Sequence, residues 1–535
     1  KKHLKIAQDL AKLEDRANMF TSTFRHFTSN EWFFETTNLE LAFSQLPDDQ
    51  KKVFSLDFSE LDWHTYFVYF CYGLHKFILK ENPEKPTQLD VLQKNKTDFL
   101  SDLTFSFSAA GDFNNRWSRE DLKNLVISSS RVQTEIQREA ERKSLSYGEV
   151  EQRAQSIMEL MFANPKTSTV RFASWLLRKV WRQMYAAIIV DSHELAKIKE
   201  LLKKETTGSV VFIPTHRSYI DFLILSYIFF AYSLPVPHVA TGEDFLNMFI
   251  VKDIFRHSGA FFIRRQFGDD KLYKSIFTEY VQQLLIDGCP VEFFVEGTRS
   301  RNGKTLQPKL GLLSIIAESY LEKKVPNITI VPINISYERI LEGEAYSSEL
   351  LGEPKARESL SGLVKARDVL RNRYGDIEVK VANPISLKDY VAQATQEMKN
   401  EDDGQQFDPF TDVDSKYRLI RKLAYSITDE LNQSAVIMPT SLVATILLFF
   451  RDGISLDELI MKTQWLKQQI VLRNGRVNWN ETQSTSAIVD RALSLLNNLV
   501  AKRRHMIEPA IEAKQDYRKT IQLGCYRNQL IHLFV

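Results

Sequence analysis

The sequence has little cysteine, almost no net charge and no long apolar run. Its 3 Cys residues among 535 lie at no spacing typical of a disulfide framework or a metal site, which excludes a disulfide-rich secreted protein. The 70 Lys and Arg against 68 Asp and Glu leave a net charge of +2, so we expect no nucleic-acid partner, and any anion site must be local. The longest apolar runs, Phe222–Tyr232 and Leu442–Phe450, stop short of the ~20 residues of a spanning helix, and we predict no transmembrane segment.

The composition along the chain predicts an α/β fold between two all-α regions. Between about residues 165 and 400, short β-branched or aromatic runs alternate with helical segments, which favours a mostly parallel sheet with helices on both faces. The flanking residues have helical patterns, interrupted by polar stretches near 94–115 and 400–415. We predict four stretches: a helical domain at 1–86, a linker with one or two amphipathic helices at 87–164, the α/β domain at 165–400 and a C-terminal helical domain at 401–535.

Six apolar runs are the candidate strands of the predicted sheet. They lie at Val210–Pro214, Val236–Thr241, Ala260–Arg264, Val291–Val295, Ile328–Ile333 and Ile377–Val381. In an open parallel sheet, ligands bind beyond the carboxyl ends of the strands. Polar residues that directly follow these runs are therefore the first candidates for chemistry.

A histidine follows the first of these runs, with an aspartate five residues further along. If a helix begins near Ser218, the Asp221 carboxylate can reach the His216 imidazole, fix its tautomer and leave the other ring nitrogen to act as a base. The protein then needs no nucleophile of its own, because a hydroxyl group of the substrate would attack. The alternative from these residues alone is a histidine at a strand end and an acidic residue at a helix start, without a catalytic role.

Two further predicted strand ends carry cations. Arg264 and Arg265 end one run, and the stretch from Glu296 to Ser300, which contains Arg299, ends another. Guanidinium groups match the geometry and charge of phosphate oxygens, and a glycine lets backbone amides approach an anion. The set predicts a phosphate pocket beside the base. The alternative for any single arginine is a solvated or ion-paired sheet edge.

Four ordered sequence blocks resemble those of the glycerolipid acyltransferases. They are His-x-x-x-x-Asp at 216–221, Gly-Ala-Phe-Phe-Ile-Arg-Arg at 259–265, Phe-Val-Glu-Gly-Thr-Arg-Ser at 294–300 and Ile-Val-Pro-Ile at 330–333. The resemblance implies that His216 and Asp221 form a catalytic dyad, and that acyl-CoA is the co-substrate, with no metal and no other cofactor. It also implies that eight residues of the later blocks bind or shape the site of the acceptor: Arg264, Arg265, Glu296, Gly297, Thr298, Arg299, Ser300 and Pro332.

Within this family, stretches such as Ser258–Phe267 and Glu349–Lys355 are similar to those of the dihydroxyacetone phosphate acyltransferases, which start ether-lipid synthesis. This resemblance implies dihydroxyacetone phosphate as the acceptor, ether-lipid pathway enzymes as possible partners, and a peroxisomal location, with the mitochondrial outer membrane or endoplasmic reticulum as alternatives. Glycerol-3-phosphate acyltransferases share the four blocks, so glycerol 3-phosphate stays open as the acceptor. A catalytically silent scaffold of lipid enzymes is the second alternative.

An acyl product with one tail partitions to a bilayer, so we expect contact with a membrane surface. The candidate contacts are Tyr219–Tyr232 and Ser441–Phe450. Both patterns are more typical of a buried core.

Motifs near the start of the chain resemble a different family. Phe27–Trp32, Leu46–Gln50 and Tyr72–Glu81 are similar to the carboxy-terminal domain of alcohol-forming fatty acyl-CoA reductases, over about residues 20–83. No G-x-G-x-x-G occurs in the 535 residues, and the first residue is Lys1 rather than methionine. We expect the chain to be the carboxy-terminal part of a reductase–acyltransferase fusion. The alternative is a helical cap retained for packing.

Overall fold

The computed structural model describes residues 18, 19, 21, 22, 25, 29, 35–47, 63–78, 89–91, 118–203, 208–247, 249–264, 266–354, 372–401, 407–503, 506–509 and 517–534. They divide into two units, residues 1–86 and residues 87–535. In the first unit, helix α1 (Thr37–Ser44) and helix α2 (Trp63–Gly73) are described, and a π-helical turn (Leu74–Ile78) follows α2. The described part of this unit is therefore helical, as predicted.

Three helices lie where the sequence predicts one or two amphipathic helices. They are α3 (Arg119–Ile127), α4 (Ser130–Lys143) and α5 (Tyr147–Met161). Each begins after a serine whose hydroxyl accepts a backbone N–H of the first turn, which ends the preceding segment and starts a new helix. These capping residues are Ser118, Ser129 and Ser146. The polar stretch at 94–115 lies outside the described residues.

Nine described strands form one mixed sheet in the second unit. Their order across the sheet is β1-β2-β8-β7-β3-β6-β4-β5, and β9 pairs with β7. The strands are β1 (Leu89–Val91), β2 (Ala187–Asp191), β3 (Ser209–Pro214), β4 (His238–Gly242), β5 (Ala260–Ile263), β6 (Val291–Glu292), β7 (Ile328–Tyr337), β8 (Asp376–Val381) and β9 (Ile385–Ser386).

Strands β3 to β7 run parallel to one another, so their carboxyl ends meet at one edge of the sheet. Strand β8 is antiparallel to β7, and β2 is parallel to β8. The mostly parallel α/β fold is therefore confirmed. Two strand lengths differ from the prediction by more than one residue: β6 ends after Glu292 because the chain turns at 294–297, and β7 continues to Tyr337. Strands β1, β2 and β9 are not among the predicted runs.

Helices cover both faces of the sheet. Alternate residues of β3 show the division, since Val211 and Ile213 pack into one apolar core and Val210 and Phe212 into the other. The remaining helices of this part are α6 (Thr167–Met184), α7 (Ser192–Lys203), α8 (Asp221–Ala231), α9 (Phe249–His257), α10 (Lys271–Ile286), α11 (Leu310–Leu321), α12 (Gly343–Leu350) and α13 (Leu387–Glu401).

The C-terminal region is helical, as predicted, but the structure adds five short strands. Its helices are α14 (Val413–Gln433), α15 (Pro439–Phe449), α16 (Leu456–Leu472), α17 (Thr485–Leu495) and α18 (Arg518–Asn528). The strands are β10 (Val436–Ile437), β11 (Ile454–Ser455), β12 (Arg476–Val477), β13 (Val500–Arg503) and β14 (Met506–Pro509). Strands of two to four residues are too short to show a period of two in the sequence. Helix α18 packs against both α15 and α12, which joins this region to the α/β part.

The two candidate membrane segments are mostly core. Ile224, Leu225 and Phe229 of α8 are buried, as is nearly all of α15, although Phe449 at its end is 82% exposed. These segments therefore pack the interior and offer little surface to lipid. Among the described helices, none combines the length and the apolar character needed to cross a bilayer.

Candidate active site

His216 and Asp221 are in contact just beyond the carboxyl end of β3. His216 lies in the loop after Pro214, and Asp221 is the first residue of α8. The Nδ1 atom of His216 is 2.9 Å from Oδ2 of Asp221. The Asp221 side chain is 0% exposed and that of His216 is 19% exposed. The carboxylate therefore occupies Nδ1, which leaves Nε2 as the nitrogen available for proton transfer.

Three further donors hold the Asp221 carboxylate in place. Its Oδ2 accepts the backbone N–H groups of Arg217 at 2.7 Å and Ser218 at 2.8 Å. Its Oδ1 accepts the hydroxyl of Tyr337 at 2.6 Å. Burial, and then the neighbouring Asp221 charge, raise the pKa of Tyr337 well above its usual value, so its proton stays in this bond. Charge-assisted bonds of this kind fix the orientation of the carboxylate and thereby that of the imidazole.

The loop after β6 also contacts His216. The imidazole stacks on the Phe294 ring, with the ring centroids 3.9 Å apart and the planes 19° apart. The backbone N–H of His216 donates to Oε1 of Glu296 at 2.8 Å, and its carbonyl accepts the N–H of Ser300 at 2.9 Å. The first and third sequence blocks are thus joined through both main-chain groups of His216.

Glu296 connects two loops and is 1% exposed. Its second oxygen, Oε2, accepts the backbone N–H of Leu306 at 2.9 Å. Both carboxylate oxygens therefore accept backbone donors. The next residue, Gly297, has a φ of +65° and donates its N–H to the Phe294 carbonyl, and a Cβ there would lie 2.8 Å from the Lys309 side chain. This turn requires glycine, and its N–H is already engaged in the turn.

Arg299 is held between two tyrosines near the start of α8. Its guanidinium carbon lies 3.1 Å from the centroid of the Tyr219 ring, and its Nη1 donates to the Tyr346 hydroxyl at 3.3 Å. The Tyr346 hydroxyl in turn donates to the Arg217 carbonyl at 3.0 Å. Arg299 is 8% exposed, so its charge lies close to the dyad but mostly away from water. Thr298, beside it, is half-buried.

Arg264 lies further along the sheet edge. Strand β5 is three strand spacings from β3, or ~14 Å at about 4.8 Å each. The Nη1 of Arg264 donates to Asp270 at 2.8 Å, and its guanidinium lies over the Tyr273 ring. Burial alone would raise the pKa of Asp270, but the N–H of Tyr273 and the Arg264 and Arg153 guanidiniums lower it overall. None of these partners belongs to the groups around His216.

The sequence also predicts Arg265 and Pro332 as site residues. Arg265 lies outside the described residues. Pro332 is buried within β7 opposite Ile213 of β3, and its carbonyl accepts the N–H of Ala382. It lies in the strand beside the one that leads to His216.

Sequence reasoning missed the groups that support the dyad from a distance. Tyr337 lies past the predicted end of β7, and the alternation of polar and apolar residues from Asn334 to Tyr337 is a signal for a longer strand. Glu342 accepts the Ser218 hydroxyl at 2.9 Å and the Tyr219 N–H at 2.6 Å. Burial raises the pKa of Glu342 to about 7, although these two bonds act in the opposite direction. Nothing in the local pattern near Glu342 indicates that it lies beneath the first block.

Three family models match the chain. Residues 190–336 match the acyltransferase model, and residues 346–535 match the model described as the C-terminal region of glycerol-3-phosphate acyltransferase. Residues 2–81 match the male sterility protein model. This model describes the fatty acyl-CoA reductase domain that the motifs near the start of the chain resemble.

Curated relatives align over most of this chain. The dihydroxyacetone phosphate acyltransferases of Bos taurus and Homo sapiens are 35% and 33% identical to it, and each alignment covers 78% of this chain and 62% of the relative. A glycerol-3-phosphate acyltransferase of Pseudomonas putida (strain GB-1) is 32% identical, over 78% of this chain and 49% of that protein. The chain thus spans about three fifths of the length of the first two.

A solved structure, the 1-acyl-sn-glycerophosphate (LPA) acyltransferase PlsC of Thermotoga maritima, aligns with a TM-score of 0.27 at 14% identity, over 62% of this chain and 95% of that one. A likeness of this size bears on neither fold nor function. Residues 190–336, which contain the four blocks around the site, and residues 346–535 are therefore similar to glycerolipid acyltransferases.

Proposed function

We propose that the chain transfers the acyl group of acyl-CoA to the hydroxyl of dihydroxyacetone phosphate. The observation that carries this proposal is the His216 imidazole, whose Nδ1 is held by a buried carboxylate at the carboxyl edge of the parallel strands. A base oriented in this way suits removal of a proton from a substrate hydroxyl. The names of the relatives that are 33–35% identical support this acceptor, and those of the bacterial relatives support glycerol 3-phosphate as the alternative.

In the proposed reaction, Nε2 of His216 takes the proton of the acceptor hydroxyl as its oxygen attacks the thioester carbon. The carbon–sulfur bond then breaks, and the same proton passes from His216 to the departing CoA sulfur. Asp221 stabilises the imidazolium that exists between these two transfers. A positioned base contributes ~10²–10⁴-fold to the rate.

Among the predicted acceptor residues, the cation Arg299 contacts Tyr219, which lies between His216 and Asp221 in the sequence, and Tyr346. We propose that it helps to orient the acceptor. Arg264, paired with Asp270 and ~14 Å along the sheet, would contact only a larger ligand or a rearranged loop. Glu296 and Ser300 bond the main chain of His216, so we assign them to holding the loops.

The first prediction tests the proposed reaction. The purified chain, incubated with acyl-CoA and one acceptor at a time, is expected to release free CoA faster with dihydroxyacetone phosphate than with glycerol 3-phosphate. Release is measured with a thiol reagent. A faster reaction with glycerol 3-phosphate would establish the alternative acceptor. Release with neither acceptor would contradict both and favour the silent scaffold.

We infer that helix α6 makes the membrane contact. Its 18 residues include no acidic residue and four cations, and Phe172 and Leu176 on one face are 55% and 43% exposed. The Phe172 ring stacks on Trp175, while Val170, Trp181 and Met184 of the same helix are buried. An aromatic and aliphatic surface flanked by Lys and Arg suits the interface of an anionic bilayer.

The second prediction follows from this surface. A Phe172→Ser/Leu176→Ser double variant is expected to bind phosphatidylcholine vesicles that contain phosphatidylserine at least tenfold more weakly, because each side chain loses apolar burial. Binding is measured by vesicle sedimentation. The matched control is Val413→Ser/Tyr417→Ser, which replaces two similarly exposed residues of α14. Equal binding of the two double variants would exclude α6 as the contact.

We also propose that residues 2–81 are the carboxy-terminal domain of a reductase that is fused to the acyltransferase in one longer protein, and that the whole acts at the peroxisomal membrane. The match of these residues to the male sterility protein model supports the first statement. Such a reductase would supply the fatty alcohol that later replaces the acyl group. A reading frame upstream without a nucleotide-binding motif would contradict the fusion.

A further inference from the structure

A polar cavity of about 130 Å³ lies at the junction of the sheet edge and the C-terminal region. Its walls come from the loop after β3, the loop after β6, the end of α14 and the end of α18 with the short helical turn (Ile531–Leu533) that follows. The lining side chains that carry charge or can donate hydrogen bonds are Arg217, Lys304, Thr305, Asn432, Asn528, Gln529 and His532. No carboxylate is among the described residues that line it.

The lining groups are arranged to receive an anion. The Nη2 of Arg217 donates to Thr305 Oγ1 at 3.0 Å, and Thr305 donates to Oδ1 of Asn432 at 2.6 Å. The Nη1 of Arg217 and the Nε2 of His532 are buried and have no hydrogen-bond partner. An unsatisfied guanidinium nitrogen is costly in a buried site, so a ligand that accepts its hydrogen bond is favoured.

The walls of the cavity are held rigidly. Asn528 Nδ2 donates to the Asn302 carbonyl at 2.8 Å, and Cys525 Sγ donates to the Arg301 carbonyl at 3.0 Å. Gly303 has a φ of +81°, and a Cβ there would lie 2.0 Å from the Cys525 carbonyl oxygen. Helix α18 therefore fixes the loop that presents Lys304 and Thr305, which preorganises the cavity before any ligand binds.

We propose that this cavity binds a phosphate monoester of a substrate, with Arg217 and Lys304 supplying the positive charge and His532 a further hydrogen bond. A water molecule's share of liquid volume is about 30 Å³, so the cavity has room for roughly four waters or one tetrahedral oxyanion. A phosphate monoester keeps part of its second proton near neutral pH, so it can accept from a protonated Nε2 of His532 or donate to a neutral one.

The choice of ligands rests on the proposed function, since both substrates of that reaction carry a phosphate monoester. One is the phosphate of the acceptor, and the other is the 3′-phosphate of CoA. Because Arg217 directly follows His216, a three-carbon acceptor spans the distance between them more readily than the long CoA molecule does. The C-terminal region would then form one wall of the substrate site.

Calorimetric titration of the full chain tests this site with four probes: inorganic phosphate, dihydroxyacetone phosphate, CoA and 3′-dephospho-CoA. In Lys304→Gln and in Arg217→Gln, the Kd for at least one phosphate monoester is expected to rise about tenfold or more, because a charge-assisted bond is lost. The matched control, Lys388→Gln, removes an exposed lysine of α13 and is expected to leave every Kd unchanged. Lys304 is exposed, so its variant reports on the site even if Arg217→Gln does not fold.

The outcomes distinguish the acceptor phosphate from the 3′-phosphate of CoA as the ligand. They also distinguish failure of this site from failure of the proposed function. Weaker binding of dihydroxyacetone phosphate with unchanged CoA assigns the cavity to the acceptor, and weaker binding of CoA with unchanged 3′-dephospho-CoA assigns it to the 3′-phosphate. Unchanged Kd values for all four probes in both variants, or no binding to the wild-type chain, overturn the site. If no acceptor supports CoA release while binding still depends on Lys304, the proposed function fails and the site stands.

Discussion

Replacement of His216 by alanine is expected to lower kcat by at least ~10²-fold, and by as much as ~10⁴-fold, with little change in the Kd of the acceptor. The imidazole is the group that would remove the hydroxyl proton, and its loss leaves water as the base. The acceptor keeps the cations that would hold it, so its binding is retained. The measurement is CoA release under saturating substrates, together with calorimetric binding of dihydroxyacetone phosphate.

Two further variants test whether this loss of kcat is specific to His216. His193→Ala removes an exposed histidine of α7 and is expected to leave kcat unchanged. Arg299→Ala is expected mainly to raise KM for the acceptor, because it removes a charge that orients this ligand. Equal losses of kcat and of acceptor binding in His216→Ala and Arg299→Ala would contradict the division of roles between base and anchor.

The dyad could be predicted from the sequence because its partners are close in the chain. His216 and Asp221 are five residues apart, and their carboxylate–ring contact forms although α8 begins at Asp221 rather than near Ser218, where the sequence predicts it. Most of the sheet could be predicted for a similar reason, since β3 and β5 are short apolar runs and the apolar residues of β8 alternate with charged ones. Both features depend on local patterns.

The residues that hold the dyad in place could not be predicted, because they are far from it in the sequence. Tyr337 is 116 residues from Asp221, and Glu342 is 124 residues from Ser218. His532, in the cavity wall, lies beyond the predicted α/β domain altogether. These contacts form because β3 pairs with β7 and because α18 packs against α12 and α15. No local sequence pattern contains them.

The positive charge of the arginines did not suffice to predict which of them lies near the dyad. Arg264 and Arg299 both follow strands of the same edge, but Arg264 pairs with Asp270, whereas Arg299 lies between tyrosines beside the dyad. An arginine at a strand end can be satisfied by a carboxylate from the next helix, and the sequence shows no preference between that partner and a ligand. Arg217, inside the first block, offers an unpartnered nitrogen instead.

Removal of the Glu296 carboxylate is expected to disturb both loops that it joins. Glu296→Ala leaves the N–H groups of His216 and Leu306 without their acceptor, at a cost of about 1–3 kcal/mol each when they stay buried. The loops are then expected to open locally, and kcat to fall as the imidazole loses its fixed position over Phe294. Amide hydrogen exchange, read by mass spectrometry, is expected to quicken about fivefold or more at these two amides.

Two variants show whether the effect belongs to this carboxylate. Glu344→Ala removes an exposed carboxylate of α12 and is expected to leave exchange at His216 and Leu306 unchanged. Glu296→Gln keeps one acceptor oxygen and is expected to protect one of the two amides better than the other. If Glu296→Ala exchanges at both amides as slowly as the wild-type chain, the buried carboxylate is not what holds His216 against the third sequence block, and the geometry of the base must depend on the contacts of His216 with Asp221, Phe294 and Ser300.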